Sequence, residues 1–148
     1  MRYLGVILCA FLVTCASVVA ASEDPAGSVK TAKGAASIVR QQRAVSADVG
    51  EKIFGGDILR TGADGSLGII FKDETVLSLG PNSELVIDEF LFAPAQGRLS
   101  IITRLLKGTA TYLSGMIGKL SPNSVRFETP VASVGIRGTR FLVKVDDE

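Results

Sequence analysis

The amino-acid sequence predicts an all-β fold, a single compact roll of short strands that is either a β-sandwich or a short twisted β-solenoid. From Val29 onward the chain is dense in β-branched and aliphatic residues, which suit a pleated, half-buried surface. Most glycines lie within about twelve residues of the next, the spacing of short strands and turns. Several segments alternate with a period of two, so that Leu77 and Leu79 share one face. Both architectures bury one face of each strand, so this pattern leaves the choice between them open.

Turns rich in glycine, proline, asparagine and aspartate separate the strands in the first half of the chain. Short β-branched segments lie on either side of Gly34, and an apolar segment follows Gly55 and Gly56. Residues 72–74 and 80–83 provide the next two turns. The strands predicted in this half cover residues 29–31, 35–40, 58–61, 68–71, 75–79 and 84–92.

In the second half, residues 93–96 form a turn and Gly108 divides a long apolar stretch into two strands. Residues 101–106 are ambiguous, because their apolar positions also fit a helical turn. Residues 115–123 are interpreted as a loop or short turn that carries exposed Met116 and Ile117. Such apolar residues either form a contact patch or, more often, pack back onto the core. The strands predicted in this half cover residues 97–106, 108–112, 124–128, 132–136 and 139–145.

The phenylalanines are spread over these strands rather than clustered. This distribution favours core anchors over an aromatic platform for a ligand. The residues concerned are Phe54, Phe71, Phe90, Phe92, Phe127 and Phe141.

Residues 1–21 have the features of a secretory signal peptide: a basic Arg2, an apolar run and small residues before a cleavage point after Ala21. Residues 22–27 then form a short polar leader, and residues 28–148 form the domain. An alternative is lipidation of Cys15, because residues 12–15 approximate a lipobox. Thr14 and the apolar residues after Cys15 favour ordinary cleavage. We therefore expect a periplasmic or secreted protein without a stable membrane span in the mature chain, with a lipid-anchored envelope protein as the alternative.

Charge and cysteine content limit the partners that the protein could bind and the ways in which its domain could be stabilised. The chain has 16 Lys and Arg against 15 Asp and Glu, so its net charge gives no reason to expect nucleic acid or an anionic membrane as partner. Cys9 and Cys15 are the only cysteines, and both precede the domain. We therefore expect no disulfide to stabilise the domain. Without residues 1–21, the chain has the usual length of one domain.

The residue types of the chain give little support for an enzymatic function. The chain has no histidine, which excludes the usual nucleophile–histidine arrangements and removes the commonest metal ligand. Ser66 lies in a sequence one glycine short of a nucleophile elbow. Residues 115–119 lack the spacing of a phosphate-binding loop. Two pairs of acidic residues are adjacent on the chain, Asp73–Glu74 and Asp88–Glu89. Neighbours on a strand point to opposite faces, so neither pair forms a two-carboxylate catalytic site by itself. We expect no enzymatic activity, no cofactor and no metal site.

Four short blocks occur in the order in which they appear in the FecR-type domain family. They lie at residues 50–61, 71–85, 106–110 and 129–143, and the last contains a Thr-Pro start and an Arg-Gly-Thr corner. The chain is therefore identified, by resemblance, as a FecR-type domain. The resemblance implies an all-β, non-catalytic periplasmic domain. In regulators that carry it, the domain relays a signal from an outer-membrane transporter to a cytoplasmic sigma factor.

The chain departs from that regulator design. Only residues 1–3 could lie on the cytoplasmic side, and the sequence ends at Glu148. We therefore expect a stand-alone exported member of the family, without direct control of a sigma factor.

The candidate binding residues are Arg137, Gly138, Thr139 and Asp57. The Arg137 guanidinium could donate two hydrogen bonds to a carboxylate or phosphate of a partner. Alternatively, it could form an ion pair with Asp57 or Glu128 of its own chain and hold the Arg-Gly-Thr corner in place. Asp57 could face a ligand or cap the amides of its own turn. In both cases the structural role is favoured.

These observations predict a protein-binding or scaffold module of the bacterial cell envelope, with another envelope protein as its partner. Signalling is one role that such a module could have. The alternative is a module that binds a small ligand or a glycan such as peptidoglycan. A hydrolase would require two carboxylates brought together by folding, and is the least favoured hypothesis. The partner's identity, the stimulus and the oligomeric state stay open at this stage.

Overall fold

The computed structural model describes residues 24–136 and 140–146. In this part of the chain the strands are β1 Gly27–Lys33, β2 Ala36–Arg40, β3 Arg43–Ser46, β4 Lys52–Ile53, β5 Ile58–Thr61, β6 Ser66–Phe71, β7 Val76–Leu79, β8 Glu84–Ala93, β9 Arg98–Leu113, β10 Val125–Glu128, β11 Ser133–Gly135 and β12 Arg140–Val145. An α-helix, α1, covers Met116–Leu120, and 3₁₀ turns lie at Pro94–Gln96 and Pro122–Ser124.

The strands form one curled, twelve-stranded sheet, an open half-barrel, and this confirms the predicted all-β roll. Strand β9 runs through both halves of the sheet. Its first part pairs with β8 and β10, in the half that we call sheet B together with β3, β2, β5 and β11. Its last part pairs with β7 and β12, in the half that we call sheet A together with β4, β1 and β6. All pairings are antiparallel except that of β9 with β10.

The chain passes from one half to the other at Gly108, where β9 bends without breaking. Gly108 has a φ of 89°, a conformation that residues with a side chain rarely adopt. A Cβ at this position would overlap the backbone and side chain of Ser83. The Thr109 amide donates to Ser83 Oγ at 3.0 Å and closes the ladder across the bend. The two strands predicted on either side of Gly108 are therefore one strand.

The core lies between the inward faces of the two halves. It includes Phe71 and Phe127, and Phe90, Phe92 and Phe141 pack against it, as the core-anchor interpretation predicts. Phe141 contacts Tyr112 and Phe127, with ring centroids 5.0 and 5.4 Å apart.

Phe54 differs from the other phenylalanines. Its ring lies under the Arg40 guanidinium, 4.5 Å from centroid to carbon, instead of in the core.

Residues 101–106 belong to β9 and are extended, which resolves the helical alternative. Ile101, Thr103 and Leu105 are buried while their neighbours are not, the period of two that a strand imposes. Residues 115–123, interpreted as a loop or short turn, contain the short helix α1. Ile117 is fully buried, which agrees with the alternative that these apolar residues pack back onto the core, whereas Met116 is 40% exposed. Strands β3 and β4 were not predicted, because β3 is exposed throughout and β4 has only two residues.

Candidate interaction surface

Several sequence-predicted residues lie outside the part that the structure describes. These are Arg137, Gly138 and Thr139 at the corner, and residues 1–21 with Cys15. The strands that flank the corner are described and do not pair with each other. β11 pairs with β10 and β12 pairs with β9, so the corner connects the two halves of the sheet.

Asp57 ends the turn that precedes β5, and its side chain is only 1% exposed. The Arg40 side chain donates from Nε to Oδ1 at 2.9 Å and from Nη2 to Oδ2 at 2.8 Å, a bidentate ion pair. The Phe54 amide donates to Oδ2 at 2.9 Å. Hydrogen bonding of the Arg40 guanidinium to the Asp57 carboxylate raises the pKa of Arg40 above its ordinary value, although partial burial opposes this. The carboxylate thus caps its own turn and is engaged by Arg40.

Arg40 was not singled out from the sequence. It lies on β2, 17 residues before its partner. Its Nη2 also donates to the Lys52 carbonyl at 2.8 Å, so one guanidinium ties β2 to the turn before β5 and to β4.

We expect Arg40→Leu to lower the free energy of unfolding by about 2–3 kcal/mol, because it leaves the buried Asp57 carboxylate without its cation. Chemical denaturation measures this effect. Arg43→Leu, on the exposed strand β3, is the matched control and should change stability by less than about 0.5 kcal/mol. Equal effects of the two substitutions would contradict a structural role for the ion pair.

Asp73 lies in the turn between β6 and β7 and is fully buried. Its Oδ1 accepts from the Thr75 amide at 3.0 Å. Its Oδ2 accepts from Thr75 Oγ1 at 2.8 Å and from the Ile117 amide at 3.1 Å. Its carbonyl accepts from the Met116 amide at 2.7 Å, so this one residue holds the first turn of α1 against the sheet. The adjacent Glu74 is exposed, and Asp57 and Asp73 lie in different turns with separate partners.

The outward face of sheet B carries paired charges. Arg60 and Glu84 approach to 3.3 Å, Arg104 and Asp88 to 3.1 Å, and Arg126 and Glu128 to 3.9 Å. These side chains are partly exposed, so each pair contributes little to stability. Their effect is to give this face fixed charges of both signs.

The outward face of sheet A is different in character. One cross-strand row joins Ile70, Val76, Leu113 and Arg140, and the next joins Gly68, Ser78, Thr111 and Leu142. Leu113 is 42% exposed and Leu142 is 67% exposed. On β6, β7 and the last part of β9, none of the outward residues is charged; they are Ser66, Gly68, Ile70, Val76, Ser78, Thr109, Thr111 and Leu113.

Strand β12 forms one border of this face. Arg140, Leu142 and Lys144 point outward, while Phe141, Val143 and Val145 point inward and are half-buried. Among the described residues, β12 pairs with β9 along one edge and with no strand along the other. Next to its end lies a groove of about 620 Å³ that is lined mainly by aliphatic residues. They are Leu106, Pro130, Val131, Ala132, Val134, Val143 and Val145, and the polar residues Thr129, Lys144 and Asp146 also line it.

Within residues 24–136 and 140–146, no group of three or more Cys, Asp or Glu side chains is placed to hold a metal ion. No helix in the same ranges is long and apolar enough to span a bilayer.

The fold and its surfaces define an all-β domain with ion pairs on the outward face of sheet B and an uncharged centre, on β6, β7 and the last part of β9, on the outward face of sheet A. The family model described as FecR protein matches residues 57–148, and the chain belongs to this family. No curated protein and no solved structure matched the chain. The matched region begins at Asp57, yet β1 and β2 pair with β6 and β5 in the same sheet. The folded unit therefore includes strands that precede the matched region.

Proposed function

We propose that this FecR-family chain is a non-catalytic protein-binding or scaffold module of the bacterial envelope that docks another envelope protein on the outward face of sheet A. The observation that carries the proposal is the difference between the two faces. Interface centres are depleted in charged residues, because desolvating an unpaired charge is unfavourable. Sheet A offers an uncharged centre on β6, β7 and the last part of β9, with exposed Leu113 at the end of β9, whereas docking on sheet B would desolvate three ion pairs.

The proposal predicts that a charge in the middle of this face abolishes docking. In Ser78→Glu, a carboxylate would be buried against the partner, and we expect recovery of the partner to fall by about tenfold or more. Recovery is measured by crosslinking in intact cells, purification of the tagged chain and mass spectrometry.

Ser37→Glu is the matched control, because Ser37 lies next to Arg60 in the register of sheet B. It should recover the partner as the unchanged chain does. Loss of the partner in Ser37→Glu alone would contradict the proposed surface and favour sheet B.

We also propose that the chain is exported to the periplasm by residues 1–21. The n-region, apolar run and small residues before Ala21 support this proposal. Sequencing the N-terminus of the chain from cells tests it. A mature chain that starts at Ser22 fits ordinary cleavage, a lipidated Cys15 fits the alternative, and a retained Met1 contradicts both.

The groove beside β12 favours a second candidate function, binding of a small ligand or a glycan fragment. Its volume of about 620 Å³ falls in the range of ligand sites. Its lining is mainly aliphatic, and among the described residues no aromatic ring lines it for a sugar to stack on. Calorimetric titration with soluble peptidoglycan fragments tests this candidate. Saturable binding that is lost in Val131→Asp would support it, and an absence of heat would remove it.

A further inference from the structure

We infer that two copies of this chain pair through the outer edges of β12, antiparallel and about a two-fold axis at Val143. The inference concerns a different surface from the face of sheet A proposed above and does not depend on it. It rests on the order of side chains over residues 140–146, Arg-Phe-Leu-Val-Lys-Val-Asp, and on the groove beside them.

The edge has the groups that a further strand requires. β12 pairs with β9 from Arg140 to Val145, which fixes one row of its backbone groups. The described residues supply no strand for the other row. An exposed edge of this kind is a template for another chain, and natural proteins usually protect it.

Alternation restricts the possible registers. In an antiparallel pair, directly opposed residues point to the same face, so outward residues must oppose outward residues. A two-fold pairing must therefore be centred on a residue that opposes its own copy. Three such centres, Leu142, Val143 and Lys144, place most of residues 140–146 opposite a residue of the second copy.

Charge selects one of the three. Centring on Leu142 places Arg140 opposite Lys144 of the second copy, and centring on Lys144 places this residue opposite itself. Both put like charges directly across the strands, which is destabilising. Centring on Val143 places Arg140 opposite Asp146 of the second copy, twice by symmetry.

The inward side chains agree with the same register. It places Val143 opposite its copy and Phe141 opposite Val145 of the second copy. Val143 and Val145 line the groove, and Phe141 packs against Tyr112 and Phe127 of its own copy, so this register keeps apolar side chains opposite one another on the inward face. Within one chain, Lys144 Nζ lies 3.2 Å from Asp146 Oδ1. Both side chains are largely exposed, so this ion pair is weak and Asp146 is free to pair with Arg140 of the second copy.

Pairing of this kind would extend sheet A from one copy into the next, with the outward Arg140 and Lys144 of both copies lying between the two uncharged regions.

Charge exchange tests the inference in the full-length chain by sedimentation velocity over a range of concentrations. Arg140→Asp and Asp146→Arg should each weaken dimerisation by about tenfold or more, because each converts two attractive contacts into repulsive ones. The double variant Arg140→Asp/Asp146→Arg restores opposite charges and should restore the dimer. Arg60→Asp on sheet B is the control and should leave dimerisation unchanged.

A disulfide reports the register independently, in the chain carrying Cys9→Ser and Cys15→Ser. Val143→Cys should form a crosslinked dimer on oxidation, because this residue opposes its copy. Leu142→Cys should not, since its copy would be displaced by two residues along the strand. A chain that is monomeric at all concentrations, a double variant as weak as the single variants, or crosslinking through Leu142→Cys in place of Val143→Cys would each overturn the inference.

Discussion

Replacement of Gly108 by valine should lower the free energy of unfolding by at least about 3 kcal/mol. Two causes act together. The backbone has a φ of 89°, which a β-branched residue avoids. A Cβ would also overlap the Ser83 backbone, and β8 is held there by the ladder with β9. Thermal and chemical denaturation measure the change.

Gly56 provides a matched control for this substitution. Its φ of 90° is nearly the same, but no atom lies within 4 Å of the position of a Cβ. The Gly56→Val variant therefore keeps the strain and removes the overlap, and its loss of stability should be clearly smaller. Equal losses in the two variants would mean that the close contact with Ser83 does not govern the bend.

Asp73→Ala should lower the free energy of unfolding by about 3–5 kcal/mol. Three donors, the Thr75 amide, Thr75 Oγ1 and the Ile117 amide, lose a buried acceptor, and each such loss costs about 1–3 kcal/mol before relaxation. The damage should be greatest at α1. Hydrogen exchange of the Ile117 amide should accelerate more than exchange at the centre of β9.

Asp64→Ala is the control for this prediction. Asp64 also caps a turn, with its Oδ1 accepting from the Ala35 amide at 3.3 Å, but it is exposed. Water can replace the lost acceptor there, so the change should stay below about 1 kcal/mol. If the two aspartates had equal effects, the burial of Asp73 would not be the cause of its importance.

The strands were largely predictable because period-two alternation and turn residues are local signals. β5 was predicted over the range that it occupies, and most other strands differ from their predicted ranges by one or two residues at an end. β9 shows the limit of such signals. Gly108 indicates a change of direction, but only the pairing of residues on both sides with β8 and β12 shows that the strand continues.

The features that were missed depend on contacts between distant parts of the chain. α1 has only five residues, and its first turn is held by Asp73, which is 44 residues before Ile117. Nothing in residues 116–120 signals that support. In the same way, the turn at Asp57 is evident from its glycines, whereas the Arg40 partner is identified only after β2 and β5 have paired.

The candidate surface was the least predictable part. Thr111, Ser78 and Gly68 are unremarkable in the sequence, and they form one uncharged row only in the register of β9, β7 and β6. The sequence instead directed attention to residues 137–139, which lie outside the described ranges, and to Asp57, which is buried. Motif-based prediction thus identified the family, and strand register was needed to identify the surface.

Site-specific photo-crosslinking in intact cells tests the central claim, docking of an envelope protein on sheet A, most directly. A photoreactive residue at Thr111 lies in the middle of the uncharged face, and one at Val86 occupies a matching half-buried, outward position on a central strand of sheet B. We predict that Thr111 forms an adduct with one envelope protein, that Val86 does not, and that Ser78→Glu abolishes the adduct. An adduct from Val86 alone, or none from Thr111, would contradict the account.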